Sequence, residues 1–280
     1  MSRLSGKVVL VMGSTMGIGR AIAVGAAREG ARVVVTGRTV DAGLAVVEEI
    51  ASAGGEAVYA RVDVTDPPTI EAAVRTAVER FGRLDGVVNN VAGMVLNRID
   101  QRVTELALED WNLILATNLT SAFLGMKHGI RAMLEGGHGG SVVNIASEAG
   151  LRGMNGLEGY TASKGAIVAM TRSVASYYAR YDVRCNTLAV GFVDTGGERI
   201  EEIMRNPEFS SEILRHHLGH IGKPEEVAAA AVFLLSDESA YVSGAIIPVD
   251  AGATAASHIV RPSAPDIPGF PRLRPGAPHY

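Results

Sequence analysis

Tyr160 and Lys164 stand four residues apart in the run Gly159-Tyr160-Thr161-Ala162-Ser163-Lys164-Gly165-Ala166. If that run opens a helix, the spacing puts the phenol and the ammonium on one face, about one turn apart. A cation there favours the phenolate and draws the phenol down from its usual pKa of about 10. A tyrosine so placed can give a proton to a carbonyl or take one from an alcohol, which is acid/base chemistry without a histidine. Taken alone, the pair reads as an ordinary surface contact of the kind that supports many helices, so its surroundings have to decide.

Residues 13–19 supply those surroundings. Gly13-Ser14-Thr15-Met16-Gly17-Ile18-Gly19 follows the apolar run Val8-Val9-Leu10-Val11-Met12 and precedes Arg20-Ala21-Ile22-Ala23-Val24. This reads as strand, glycine turn, helix. Glycines allow a tight turn and close approach to a pyrophosphate, while a helix start offers free N–H groups and the positive end of its dipole. The spacing is G-x-x-x-G-x-G rather than the commoner dinucleotide G-x-G-x-x-G, and a glycine loop without a ligand is the plain alternative.

Turn and pair together resemble the short-chain dehydrogenase/reductase family, which couples a G-x-x-x-G-I-G cofactor turn to Y-x-x-x-K. The resemblance runs over about residues 5–252. It takes in Asp63-Val64 after a third strand pattern, Asn89-Asn90 after a fourth, Asn118 in a long helical pattern and Ser147 after a fifth. Late in the chain, Ile221-Gly222-Lys223-Pro224-Glu225-Glu226-Val227 and Val249-Asp250-Ala251-Gly252 match as well.

The resemblance implies hydride transfer between a nicotinamide cofactor and a secondary alcohol or ketone, with Tyr160 handling the substrate proton. Lys164 would lower the phenol's pKa and bond the nicotinamide ribose, Ser147 would hold the substrate oxygen, and Asn118 would support a water-linked proton path. The cofactor would lie on Gly13, Ser14, Thr15, Met16, Gly17, Ile18 and Gly19, with Arg38, Asp63, Val64, Asn90 and Ala92 beside it. Gly191, Val193, Thr195, Tyr160 and Lys164 would close its nicotinamide end. Plainer roles stay open: Asn118 as a helix asparagine, Ser147 as a turn residue, and Asp63 or Asn90 as a cap of the helix that follows.

An acid at the end of the second strand would bond a ribose 2′-hydroxyl and favour NAD, whereas an arginine can pair with a 2′-phosphate. Gly37 stands where the acid would be and Arg38 follows, which favours NADP over NAD. Arg38 stacked on adenine or facing solvent would leave NAD possible, and Met16 stands where NADP users often carry a basic residue. Three further residues depart from the family pattern. Met12 replaces a threonine, Val91-Ala92 replaces Ala-Gly with Gly93 one place late, and Val190 replaces a proline before Gly191.

The elements that must position these groups are legible in outline. Strand patterns at Ala31 to Thr36, Ala57 to Val62, Leu84 to Asn89, Ser141 to Ile145 and Val183 to Leu188 alternate with longer helical patterns. That alternation predicts a doubly wound parallel α/β sheet of about seven strands, Rossmann-type, with helices on both faces. Gly13, Arg38, Asp63, Asn90 and Ser147 fall where strand patterns stop, the carboxyl ends where such sheets bind ligands.

Composition narrows the function classes. With 280 residues and 47% hydrophobic content the chain can bury one substantial core. Its 26 basic against 30 acidic residues leave no footprint for nucleic acid or an anionic membrane. The single cysteine, Cys185, excludes an intrachain disulfide and reads as core packing. His216, His217 and His220 lack a cysteine or carboxylate at ligand spacing, so no metal is expected. No secretory signal or spanning segment is apparent, which predicts a cytoplasmic protein.

The expected division is a catalytic domain over 1–252 and a proline-rich extension over 253–280. Within the first, a lid at about 194–217 carries Ile200, Ile203, Met204, Phe209, Ile213 and Leu214 as an apolar face and predicts an apolar pocket. Pro262, Pro265, Pro268 and Pro271 recur with the period of a polyproline II helix, followed by Pro275 and Pro278. The tail reads either as disordered or as an arm lying across another subunit. Ala162, Gly165, Ala166 and Ala169 would allow close helix packing, and the resemblance implies a homo-oligomer, dimer or tetramer. A small-molecule oxidoreductase is the expected function. The alternatives are a 3-oxoacyl thioester reductase and a non-catalytic cofactor-sensing protein.

Overall fold

The computed structural model of the chain describes residues 2–92, 94–196, 198–207, 210, 213 and 221–255. Strand β1 (Val8–Met12) is buried at all five positions, as a run without polar alternation must be when both faces of a sheet are covered. It pairs in parallel with β2 (Arg32–Gly37) and β4 (Gly86–Asn89). Outward from these lie β3 (Glu56–Arg61) on one side and β5 (Gly140–Ser147), β6 (Val183–Val190) and β7 (Ile246–Val249) on the other, in the order β3-β2-β1-β4-β5-β6-β7. Six strands fall on the patterns read from the sequence, with ends displaced by no more than two residues. The seventh is short, lies at the sheet edge and contains Pro248, a residue that a strand tolerates mainly at an edge.

Alternation of side chains across β1 and β2 divides the core in two. Val9, Val11, Val33 and Val35 cluster with Ile22 and Ala26 of α1 (Gly17–Arg28), Val46 and Ile50 of α2 (Val40–Ser52) and the helix Pro224–Leu235. Val8, Leu10, Met12 and Val34 cluster on the other face with α3 (Pro67–Phe81) and α5 (Ser121–Gly136). Each such side chain contributes about 1.5–3 kcal/mol relative to exposure. Cys185 is fully buried in this second cluster, and burial pushes its thiol up to about 12, so it is an inert core residue.

Winding reverses between β1 and β4, and the carboxyl ends of those strands open a crevice at the switch point. Two more helices frame it: α4 (Leu108–Leu115) and α6 (Glu158–Tyr178). In the expected lid, helix α7 (Glu198–Arg205) is present, and Ile200 and Ile213 are buried. Phe209, Leu214, His216, His217 and His220 lie outside the described residues, as does the tail from 256 onward with all its prolines. Among the described residues no helix is long and apolar enough to cross a membrane, and no group of three or more histidine, cysteine or carboxylate side chains could hold a metal ion.

Candidate active site

The turn between β1 and α1 is held from below by hydroxyls. Gly13 N–H donates to Thr36 Oγ1 at 3.0 Å, and Thr36 in turn donates to the Val11 carbonyl at 3.0 Å. Ser14 Oγ donates to Val11 O and accepts from Thr36 N–H. Both hydroxyl residues are fully buried, so the Ser14 side chain faces the sheet and only its backbone can meet a ligand. These two supply the brace that Met12 lacks. Asn90 completes the turn by donating from Nδ2 to Gly13 O at 2.9 Å.

Gly13 and Gly17 adopt φ of 70° and 52°, and a Cβ at Gly19 would lie 2.0 Å from Gly13 O. The turn therefore needs glycine at all three positions. Met16, the N-cap of α1, makes no side-chain cap, and no acid stands in the first turn. First-turn N–H groups are left for an anion, so the cradle fits a cofactor diphosphate. Thr195 sits over it, 3.2 Å from where a Gly17 Cβ would be.

Arg38, at the end of β2, is exposed. A Cβ at Gly37 would lie 2.5 Å from Thr15 Cγ2, so any side chain there would require Thr15 to shift. Asp63 accepts from Thr65 N–H and Oγ1, and these bonds hold its carboxyl low, with Arg38 and Arg61 adding to the effect. It caps no helix, since α3 starts after Asp66. Val64, next to Asp63, and Ala92, two residues after Asn90, are partly buried. Val193 is buried and bridges to Gly222. Gly191 donates to Val249 O at 3.0 Å, so the β6–β7 ladder holds the start of this loop where a proline would otherwise stiffen it.

Tyr160 is the third residue of α6 and Lys164 lies one turn on. Lys164 is 1% exposed, donates from Nζ to Ile145 O at 3.0 Å and stands 5.6 Å from the Tyr160 ring centre. Ser147, the last residue of β5, accepts from Ala149 N–H, and its hydroxyl is near enough to the phenol to pull the phenol's pKa down. Asn118 is buried in a π-helical turn (Ala116–Thr120) between α4 and α5 rather than in an unbroken helix, and its Nδ2 reaches Ser163 Oγ at 3.4 Å. Such bulges cluster at functional sites because they re-aim a side chain.

The phenol's shift runs against the direction its spacing from Lys164 suggests. Burial raises it most, the Ser147 hydroxyl pulls it down and the Glu148 charge raises it again. Burial also lowers Lys164, to about 8. Desolvation of both groups outweighs their mutual effect.

A family model described as enoyl-(acyl carrier protein) reductase matches residues 13–254. Cyclohexanol dehydrogenase of Acinetobacter sp. (strain SE19) is 34% identical over 253 residues, covering 90% of this chain and 97% of its own. An NADP-dependent (R)-specific alcohol dehydrogenase of Lentilactobacillus kefiri is 38% identical over 257 residues, 90% and 98% of the two chains. The solved structure of a short-chain type dehydrogenase/reductase from Mycobacterium ulcerans superposes with a TM-score of 0.84 at 30% identity, over 90% and 91%. The chain belongs to the short-chain dehydrogenase/reductase family.

As a short-chain dehydrogenase/reductase it is an oxidoreductase of CH–OH groups that works with a nicotinamide cofactor and a small-molecule substrate. Two features of its site escape the motif pattern. Glu148, next to Ser147 and 5% exposed, is paired with Arg152, which also donates to Ala253 O at 3.1 Å. This ion pair sits beside the tyrosine in a site expected to be apolar. Asp100 accepts from the backbone N–H groups of both Gly159 and Tyr160. Nothing local in the sequence announces a bond that spans 60 residues.

Proposed function

We propose that this enzyme interconverts secondary alcohols and ketones of apolar or cyclic type, with NADP as its hydride carrier. One observation carries the reading: Tyr160, 5.6 Å from buried Lys164 and beside Ser147 at the end of β5, stands at the same carboxyl end of the parallel sheet as the Gly13–Gly19 cradle that follows β1. A nicotinamide cofactor held on the Gly13–Gly19 cradle would supply or accept the hydride. In reduction Tyr160 donates its proton to the carbonyl oxygen that the Ser147 hydroxyl holds, and the Lys164 ammonium stabilises the phenolate left behind. In oxidation the phenolate takes the hydroxyl proton. Asn118, buried beside α6, supports the path by which the phenol regains its proton. Activity on cyclohexanol is the named property of one relative and supports the cyclic class.

The test is a panel of cyclic and linear alcohols, ketones and 3-oxoacyl thioesters with both cofactors, read at the reduced-nicotinamide absorbance. Fastest turnover of a thioester would replace the alcohol reading, and silence across the panel would favour a cofactor-sensing protein.

NADP is supported by Arg38, by the absence of an acid at Gly37 and by the NADP-dependent relative. Arg38→Ala weakens NADPH binding by about tenfold or more, the worth of a charge-assisted bond, and leaves NADH within about twofold. Fluorescence titration reads this directly, and equal losses for both cofactors would return the choice to NAD.

We also propose a two-fold symmetric oligomer. Ala162, Gly165 and Ala166 are half-buried on α6 and Ala169 is exposed, which leaves small-residue surface for a second helix. Light scattering should give the mass of a dimer or tetramer; a monomer at micromolar concentration would refute it.

A further inference from the structure

Helix α6 starts without a cap of its own. Leu157 stands at its N-cap and makes no side-chain bond, although the first N–H groups of any helix have no partner within it. Asp100 takes two of them. Its Oδ1 accepts from Gly159 N–H at 3.0 Å and its Oδ2 from Tyr160 N–H at 2.7 Å. The residue is 4% exposed, and its own backbone N–H donates to Leu96 O at 3.0 Å. The two N–H donors and the positive end of the α6 dipole compensate the buried charge.

The contact is closely built. A Cβ on Gly159 would lie 3.0 Å from Ile114 Cδ1 and 3.2 Å from Asp100 Oδ1, so the helix end is wedged between α4 and the carboxylate. Asp100 follows the short 3-10 helix Met94–Arg98, which comes directly after β4 and the Asn90 turn. One carboxylate thus ties the cofactor side of the crevice to the backbone of the residue that carries the phenol.

We infer that Asp100 is a positioning residue for proton transfer, gripping the amides of Gly159 and Tyr160 so that the phenol is held in register with Ser147. The inference rests on the reading of Tyr160 as the proton donor and acceptor. Gly159 and Tyr160 are the second and third residues of α6, the amides that a helix cap ordinarily takes. This one holds the backbone of the reacting residue itself, so a shift of the carboxylate moves the Cα from which the phenol projects. Displacements of about 1 Å at a reacting group can cost about a hundredfold in rate.

Asp100→Asn keeps one acceptor and turns the other into a donor facing an N–H group; Asp100→Ala removes both. Each is compared with the parent and with Tyr160→Phe, well below its melting temperature. The readouts are the phenolate absorbance that Tyr160→Phe removes, NADPH binding, and kcat and KM with cyclohexanol and NADP.

Asp100→Asn should lower kcat by about tenfold and Asp100→Ala by more, with KM and NADPH binding within about twofold. In both, the Tyr160 phenolate should form at higher pH, by about half a unit or more, because a phenol displaced from Ser147 loses the hydroxyl that favours its anion. A folded variant that melts lower yet keeps the parent phenolate titration and kcat would make Asp100 a stability cap and overturn the inference. If only Asp100→Asn folds, it carries the same test. An active Tyr160→Phe would overturn the Tyr160 reading and this inference together, whereas an inactive Tyr160→Phe beside unchanged Asp100 variants would overturn the inference alone.

Discussion

Tyr160→Phe lowers kcat by about a thousandfold or more in both directions and leaves NADPH binding within about twofold. The substitution keeps the ring that packs beside Lys164 and removes only the phenol oxygen. Folding and cofactor binding should therefore survive while the substrate oxygen loses its proton partner. The pH dependence carries the same mechanism.

Burial brings Lys164 from the ordinary lysine value of 10.5 down to about 8, so neutral lysine accumulates as pH rises through about 8. Reduction needs the ammonium to stabilise the phenolate that proton donation leaves. Its rate should fall through that range in the parent, and the residual rate of Tyr160→Phe should show no such limb. Near-normal turnover in Tyr160→Phe, measured at saturating NADPH, would sink the proton-transfer role.

Gly19→Ala should abolish cofactor binding, with at least about a hundredfold loss in NADPH affinity, and lower the melting temperature. The backbone of Gly19 is helical and alanine favours a helix over glycine by about 1 kcal/mol. Local propensity therefore predicts a gain. The tertiary contact reverses it, since the new Cβ would stand 2.0 Å from Gly13 O and 2.5 Å from Asn90 Nδ2. Either the turn opens or the helix retreats, and both remove the N–H groups aimed at the diphosphate.

Gly25 in the same helix is the control. A Cβ there meets Ala228 at 3.6 Å, an ordinary contact, so Gly25→Ala should keep binding and gain up to about 1 kcal/mol. Thermal melts and NADPH titration of the two variants side by side decide it. Equal behaviour would show that the turn is looser than its geometry.

Particular residues show how far reading along the chain can go. The patterns of β1 to β6 were legible because a run such as Val8–Met12 is apolar throughout and one such as Val183–Val190 is mostly so, and a parallel sheet buries both faces. β7 left no pattern because four residues with a proline look like loop. Asn118 reads as part of a long helix because a π turn costs no visible break in helical spacing. Met12 reads as a missing brace because its replacement, Thr36, comes from the neighbouring strand.

What the sequence determined by itself is whatever a helical period or a tight turn can encode within a few residues: the glycine cradle, the stacking of Tyr160 over Lys164, and the strand ends that bear Ser147 and Arg38. The tertiary structure alone decided the rest. Asp100 reaches Tyr160 across 60 residues and Arg152 reaches Ala253 across 101, and no local pattern reports such a meeting. It also decided the direction in which Tyr160 shifts. Spacing says that a cation is near, but only the fold says that Lys164 is buried and Tyr160 partly so, and desolvation is then the larger effect.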